Sequence, residues 1–158
     1  MAKTKEKEKG NRKEIIAKLL HAYEMEIETA VNYIAHSINL DGVRAEEIKK
    51  ALLADITAEI GHAQMLGNRI KQLSGRIFGS QQLAFNQSYM QPSKDSTDVI
   101  YVIKGVIKAE IEAINHYRDT IRLCEGNDWV TQDLCVRLMA DEEEHWSLFS
   151  GFLKEYEK

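Results

Sequence analysis

Apolar residues recur at alternating steps of three and four along four long segments, the spacing of amphipathic helices. The first segment predicts a helix from about Lys13 to Leu40 that buries Ile16, Leu19, Tyr23, Ala30, Tyr33 and Leu40. The second predicts a helix from about Ala45 to Leu73, with Leu52, Ile56, Ala63, Leu66, Ile70 and Leu73 inward. A third runs from about Asp98 to Glu125 and buries Ile103, Ile107, Ile114, Tyr117 and Ile121. The fourth runs from about Asp128 to Glu155 and buries Cys135, Leu138, Phe149 and Phe152. Gly42 and Gly126 stand where the first and third helices must stop, since glycine accepts a left-handed backbone. Asn127 or Asp128 is the expected N-cap of the fourth helix. Both connections are short, so each pair of helices reads as an antiparallel hairpin.

The stretch from Gly75 to Ser96 breaks the pattern and holds the single proline, Pro92. Extended, it reaches about 70 Å, against about 44 Å for a helix of about 29 residues. It can therefore cross the whole bundle and start the third helix parallel to the second. The run SQQLAFNQSYM is expected to add a short helix on the way. The fold class is all-α: a four-helix bundle with one long crossover between helices 2 and 3 and no fifth helix.

Composition narrows this further. Nine glycines and one proline in 158 residues are too few for the many turns of a sandwich or barrel. Two cysteines without a CxxC exclude a disulfide scaffold or a zinc knuckle. No apolar window is long enough to span a membrane, and the charged N-terminus does not read as a secretion signal. A cytoplasmic protein is expected. The net charge of −4 hides a split, because residues 1–14 carry six basic groups against three acids. Residues 1–13 read as a flexible Lys/Glu-rich tail, and residues 14–158 as the bundle. The tail could alternatively tether DNA through phosphate contacts, although Glu6, Glu8 and Glu14 cancel part of the attraction.

The informative positions are polar residues on the apolar stripes. Glu26 lies on the inner face of the first helix, while Glu24 and Glu28 fall about 200° away and are expected to face out. Glu59 lies on the second stripe with His62 one turn on, and Glu110 on the third. The fourth carries Glu142 and His145. Two of these pairs are Glu-x-x-His. Glu26 and Glu59 are centred on Gly42, and Glu110 and Glu142 on Gly126. Each pair therefore stands about 24 Å from its turn, near mid-height of the bundle. Four carboxylates and two imidazoles converge there. Unpaired buried carboxylates are very costly, so protons or cations must neutralise them. Two divalent ions match four glutamates in charge, and this donor set suits iron, manganese or zinc. The segments EIETAVNY and EIEAINHY repeat, each with a tyrosine seven residues after its glutamate.

One glutamate on helices 1 and 3 with Glu-x-x-His on helices 2 and 4 resembles the ferritin-like di-iron carboxylate proteins. EIETAVNYIAH and LMADEEEH resemble the bacterioferritin and Dps-like members most. The resemblance implies that Glu26 and His62 end-ligate one iron, Glu110 and His145 the other, and that Glu59 and Glu142 bridge. It implies two Fe ions per subunit and ferroxidase activity: Fe(II) oxidised by hydrogen peroxide or dioxygen and stored, with protection against oxidative stress. Ile60 stands where bacterioferritin has its haem methionine, so no haem is expected. The 13 residues after His145 leave no room for a fifth helix, which favours a twelve-subunit homo-oligomeric cage over one of twenty-four. Ala113 replaces a carboxylate that rubrerythrins carry. The alternatives are a di-iron or di-manganese peroxidase or catalase without storage, and a nucleoid-binding protein. Asp141 resembles a family aspartate that fixes a histidine tautomer; the matching helix-2 position is Ala58, with Asp55 a candidate substitute. Cys124 and Cys135 fall on inward positions and read as buried thiols rather than a disulfide, being about 10 Å apart in height, while the resemblance to Dps-like proteins leaves a redox role for the pair as the alternative.

Overall fold

The computed structural model describes the backbone of residues 2–157 and the side chains of residues 11–157. Four helices carry the fold: α1 (Ala2–Asn39), α2 (Glu46–Gln72), α3 (Val99–Cys124) and α4 (Trp129–Tyr156). No strand occurs among the described residues. The Lys/Glu-rich stretch continues α1 towards the N-terminus. The helix thus begins well before the expected start at Lys13, through the stretch expected to be a flexible tail, and its side chains up to residue 10 lie outside the described residues. None of the helices is long and apolar enough to cross a membrane.

The helix ends follow the expected chemistry. Gly42 and Gly126 take φ of +94° and +70°, the region that glycine occupies without strain. The Asp98 side chain accepts from the Tyr101 amide at 2.9 Å and caps α3. Asp128 does the same for α4 through the Thr131 amide at 3.0 Å, and Arg69 of α2 anchors that cap at 2.7 Å. The apolar stripe of α1 is turned slightly from its expected setting: Ile15 is buried and Ile16 only half-buried.

Apolar side chains form two separate clusters. One joins Tyr33 and Leu40 of α1 to Ile48 and Leu52 of α2, Val102, Ile103 and Val106 of α3, and Phe149 of α4. The other joins Ile15 and Leu19 to Leu66, Ile70, Tyr117, Cys124, Cys135 and Leu138. The C-terminal halves of α1 and α4 thus share one end of the bundle with the N-terminal halves of α2 and α3. α2 and α3 run parallel, as the long crossover requires. Glu26, Glu59, Glu110 and Glu142 fall between the clusters on every helix.

The crossover forms two short 3-10 turns, Ser80–Gln82 and Ser88–Met90, rather than one helix. It is laid along α1, and this corrects one expectation. Glu28 does not face solvent; it is buried beneath the crossover. Its carboxylate accepts from the backbone amides of Asn86 and Gln87 at 2.8 and 2.6 Å. Asn32 and Thr29 bond to the Gln87 side chain, and the His36 Nε2–H donates to the Met90 carbonyl at 2.8 Å. Glu24 meets the Ala84 amide at 3.1 Å in a more open position. A loop backbone must have its amides satisfied where it is covered, and Glu28 supplies the acceptor.

Glu28→Ala leaves the covered Gln87 amide without an acceptor and frees the more open Asn86 amide, and is expected to cost about 1–3 kcal/mol in denaturant unfolding. Glu24→Ala, at the more exposed contact, is expected to cost less than about 1 kcal/mol.

Candidate metal centre

Four helices each send a glutamate to one level, because each hairpin folds at a glycine midway between its two glutamates. Glu26, Glu59, Glu110 and Glu142 are all 3% exposed or less. The structure brings all six expected side chains together. Glu26, Glu59, His62 and Glu142 place ligand atoms within 4.8 Å of one another, and so do Glu59, Glu110, Glu142 and His145. The two groups share Glu59 and Glu142.

The individual oxygens divide by role. Glu142 spans the centre, with Oε1 3.0 Å from His62 Nδ1 and Oε2 3.2 Å from His145 Nδ1. Glu26 turns Oε2 towards His62 Nδ1 at 3.5 Å, and its Oε1 accepts from the Tyr117 hydroxyl. Glu110 mirrors it: Oε2 lies 3.9 Å from His145 Nδ1, and Oε1 accepts from the Tyr33 hydroxyl. Tyr33 and Tyr117 are thus carboxylate-fixing groups as well as members of the apolar clusters. Burial holds both phenols well above their ordinary range, so both remain donors.

The outer ring nitrogens are held separately. The His62 Nε2–H donates to Asp141 at 3.2 Å. The Nε2 of His145 lies 3.6 Å from Asp55 Oδ1. The imidazoles therefore turn Nδ1 inward. Yet Nδ1 of both histidines, both oxygens of Glu142 and Oε1 of Glu59 have no hydrogen-bond partner among the described residues. These atoms crowd together without hydrogen-bond geometry. Buried polar atoms are normally satisfied, so such a cluster of orphans has room for a metal ion among its donors. Its carboxylate and imidazole donors fit a pair of divalent cations of the iron, manganese and zinc type.

Electrostatics agree. Burial, with Glu26 and Glu142 adding repulsion, pushes the Glu59 carboxyl well above its usual range. Burial and the Glu142 charge do the same to Glu110. Burial would raise Glu142 too, but the imidazoles of His145 and His62 outweigh it and hold it down to about 2. Burial opposes protonation of His62, yet Glu142 and Glu26 lift it to about 11. Without a cation, the centre keeps protons that a metal would displace.

Comparison with known proteins accords with this geometry. Residues 16–158 match the ferritin-like domain family. The bacterioferritin-related protein of Bacteroides fragilis, described as a dodecameric thioferritin, superposes with a TM-score of 0.85 at 22% identity, covering 99% of this chain and 95% of that one. Desulfovibrio desulfuricans bacterioferritin gives 0.78 at 20%, covering 95% and 84%. A Dps1 variant of Mycobacterium smegmatis gives 0.79 at 16%, covering 91% and 97%. The chain matches no curated protein.

A carboxyl raised by the fold binds its proton more tightly folded than unfolded. Its stabilising contribution is full below the ordinary carboxylate range and lost as pH rises through the folded value. Glu59→Gln removes that loss. The metal-free variant is expected to melt above the wild type near neutral pH, by about 2–4 °C per kcal/mol recovered. The gap should close as pH falls towards about 4.5. Excess Zn(II) should reverse the order, and calorimetry across pH reads both effects.

Proposed function

We propose that this chain, which belongs to the ferritin-like domain family, is a ferroxidase that takes Fe(II) as substrate, oxidises it with hydrogen peroxide or dioxygen, and stores the product in a cage of its own copies. The observation that carries the reading is the pair of four-ligand groups sharing Glu59 and Glu142 inside a layer closed by apolar packing above and below. Glu26 and His62 would end-ligate one Fe(II), and Glu110 and His145 the other. Each terminal glutamate has one oxygen occupied by a tyrosine, which leaves one for metal. Glu142 has both oxygens free and one facing each imidazole, as a bridge requires. Glu59 would be the second bridge.

Two Fe(II) held side by side supply two electrons together. That number reduces hydrogen peroxide to two waters with two protons, or dioxygen to hydrogen peroxide, without releasing a one-electron product. Tyr33 and Tyr117 keep the terminal carboxylates oriented, and Asp141 holds His62 so that Nδ1 faces inward. Mn(II) or Zn(II) would fit the same donors, although Zn(II) has no oxidation step to offer.

A homo-oligomer fits the surface. Val31, Ile34 and Ile38 are exposed on one face of α1, as are Leu53 and Ile60 on α2. Apolar stripes of this kind are usually covered by another surface. The Bacteroides fragilis neighbour is dodecameric, which supports twelve copies here. Burial pushes the free thiols of Cys124 and Cys135 up to about 11 and about 12, which suits packing groups in a reducing, cytoplasmic setting.

Aerobic addition of Fe(II) is expected to give ferric absorbance with a fast phase. Glu59→Ala and Glu142→Ala should each slow that phase by roughly two orders of magnitude, on the scale of losing a metal-positioning group. An unchanged fast phase in both variants sinks the reading. Native mass measurement should find about twelve chains if the structural resemblance extends to assembly. Ile34→Glu with Ile38→Glu should shift that population to smaller species.

A further inference from the structure

The centre is built twice over. Glu26 pairs with Glu110, Glu59 with Glu142, His62 with His145 and Tyr33 with Tyr117, each within the repeated hairpins. One pair breaks the symmetry. Asp141, immediately before Glu142, accepts from His62 Nε2 across the bundle. The residue immediately before Glu59 is Ala58, which has nothing to offer His145.

A carboxylate reaches the place from elsewhere. Asp55 lies on the inner face of α2, four residues before Glu59 and therefore about one turn away. It is buried, whereas the Asp141 side chain is 53% exposed. Its Oδ1 stands 3.6 Å from His145 Nε2, and its Oδ2 has no hydrogen-bond partner among the described residues. The His145 ring is the only basic group in ion-pair range of Asp55 among those residues. A covered carboxylate with no other counterpart is costly unless that one interaction serves it.

The structure assigns Asp55, on this geometry, as the positioning residue of His145: it holds the ring with Nε2 outward and Nδ1 towards the metal, doing for the Glu110/His145 half what Asp141 does for the Glu26/His62 half. The assignment rests on the dinuclear reading above. The separation of 3.6 Å is just beyond a hydrogen bond, while the Asp141 contact at 3.2 Å is within reach. A cation held on Nδ1 would polarise the Nε2–H and strengthen its attraction to Asp55. Each aspartate therefore acts on one metal position and not on the other.

The test is calorimetric titration of the metal-free, full-length assembly with Co(II), with bound metal counted by elemental analysis. The wild type is expected to take two Co(II) per chain. Asp55→Asn should weaken one of the two by about 10–100-fold and leave the other, and Asp141→Asn should weaken the opposite one. In a His145→Ala background, Asp55→Asn should have no further effect on the remaining Co(II), because the residue it acts through is gone. Ala58→Asp should restore the lost affinity of Asp55→Asn by returning a carboxylate to the symmetric place. Asp55→Ser, smaller and neutral, gives the same measurement if the amide variant does not fold. Unchanged binding in Asp55→Asn, equal weakening of both positions, or a persisting effect without His145 would overturn the assignment alone. Fewer than two Co(II) in the wild type would overturn the dinuclear reading and this assignment with it.

Discussion

Everything in this bundle turns on the cost of burying four carboxylates in one layer. Isolated, each would carry a desolvation penalty of several kcal/mol, and together they repel. The surroundings answer that cost in parts. Tyr33 donates to one oxygen of Glu110 and Tyr117 to one of Glu26, and His62 and His145 stand against Glu142. What remains is a set of inward-facing atoms with no protein partner. The fold tolerates that remainder because two apolar clusters close over it from both ends and hold the helices in register.

The same constraint explains the symmetry. Two hairpins of like length deliver like carboxylate and imidazole groups at like height. The hydrogen bonds that steady these groups run between hairpins: Tyr33 of the first to Glu110 of the second, Tyr117 to Glu26, and His62 to Asp141. Neither hairpin can organise its half of the centre alone. Site formation and the docking of α1–α2 onto α3–α4 are therefore one event, and metal binding should stabilise the docked state.

The crossover has its own electrostatic solution, remote from the metal layer. Glu28 accepts from the amides of Asn86 and the buried Gln87, and Asn32, Thr29 and His36 complete the seam. Periodicity assigned Glu28 to solvent because it lies off the inner stripe of α1. That geometry was correct for the bundle axis, but a helix has more than one face to cover. Which surface the long connection would lie on depends on the order of helices around the bundle, which local spacing does not encode.

Spacing within each chain segment was enough to determine the helices, the glycine turns and the level of the four glutamates and two histidines. Those follow from 3.6 residues per turn and from counting along a rigid rod, both local quantities. The repeat of EIETAVNY and EIEAINHY likewise exposed the twofold design. Only the tertiary structure decided which oxygen of each glutamate faces inward, that each tyrosine fixes the glutamate of the opposite hairpin, and that Asp55 rather than a residue beside Glu59 meets His145. Those are distances between residues more than fifty positions apart, set by how helices roll and pack against one another. A side chain's partner across a bundle is a property of that packing and not of its neighbours in sequence.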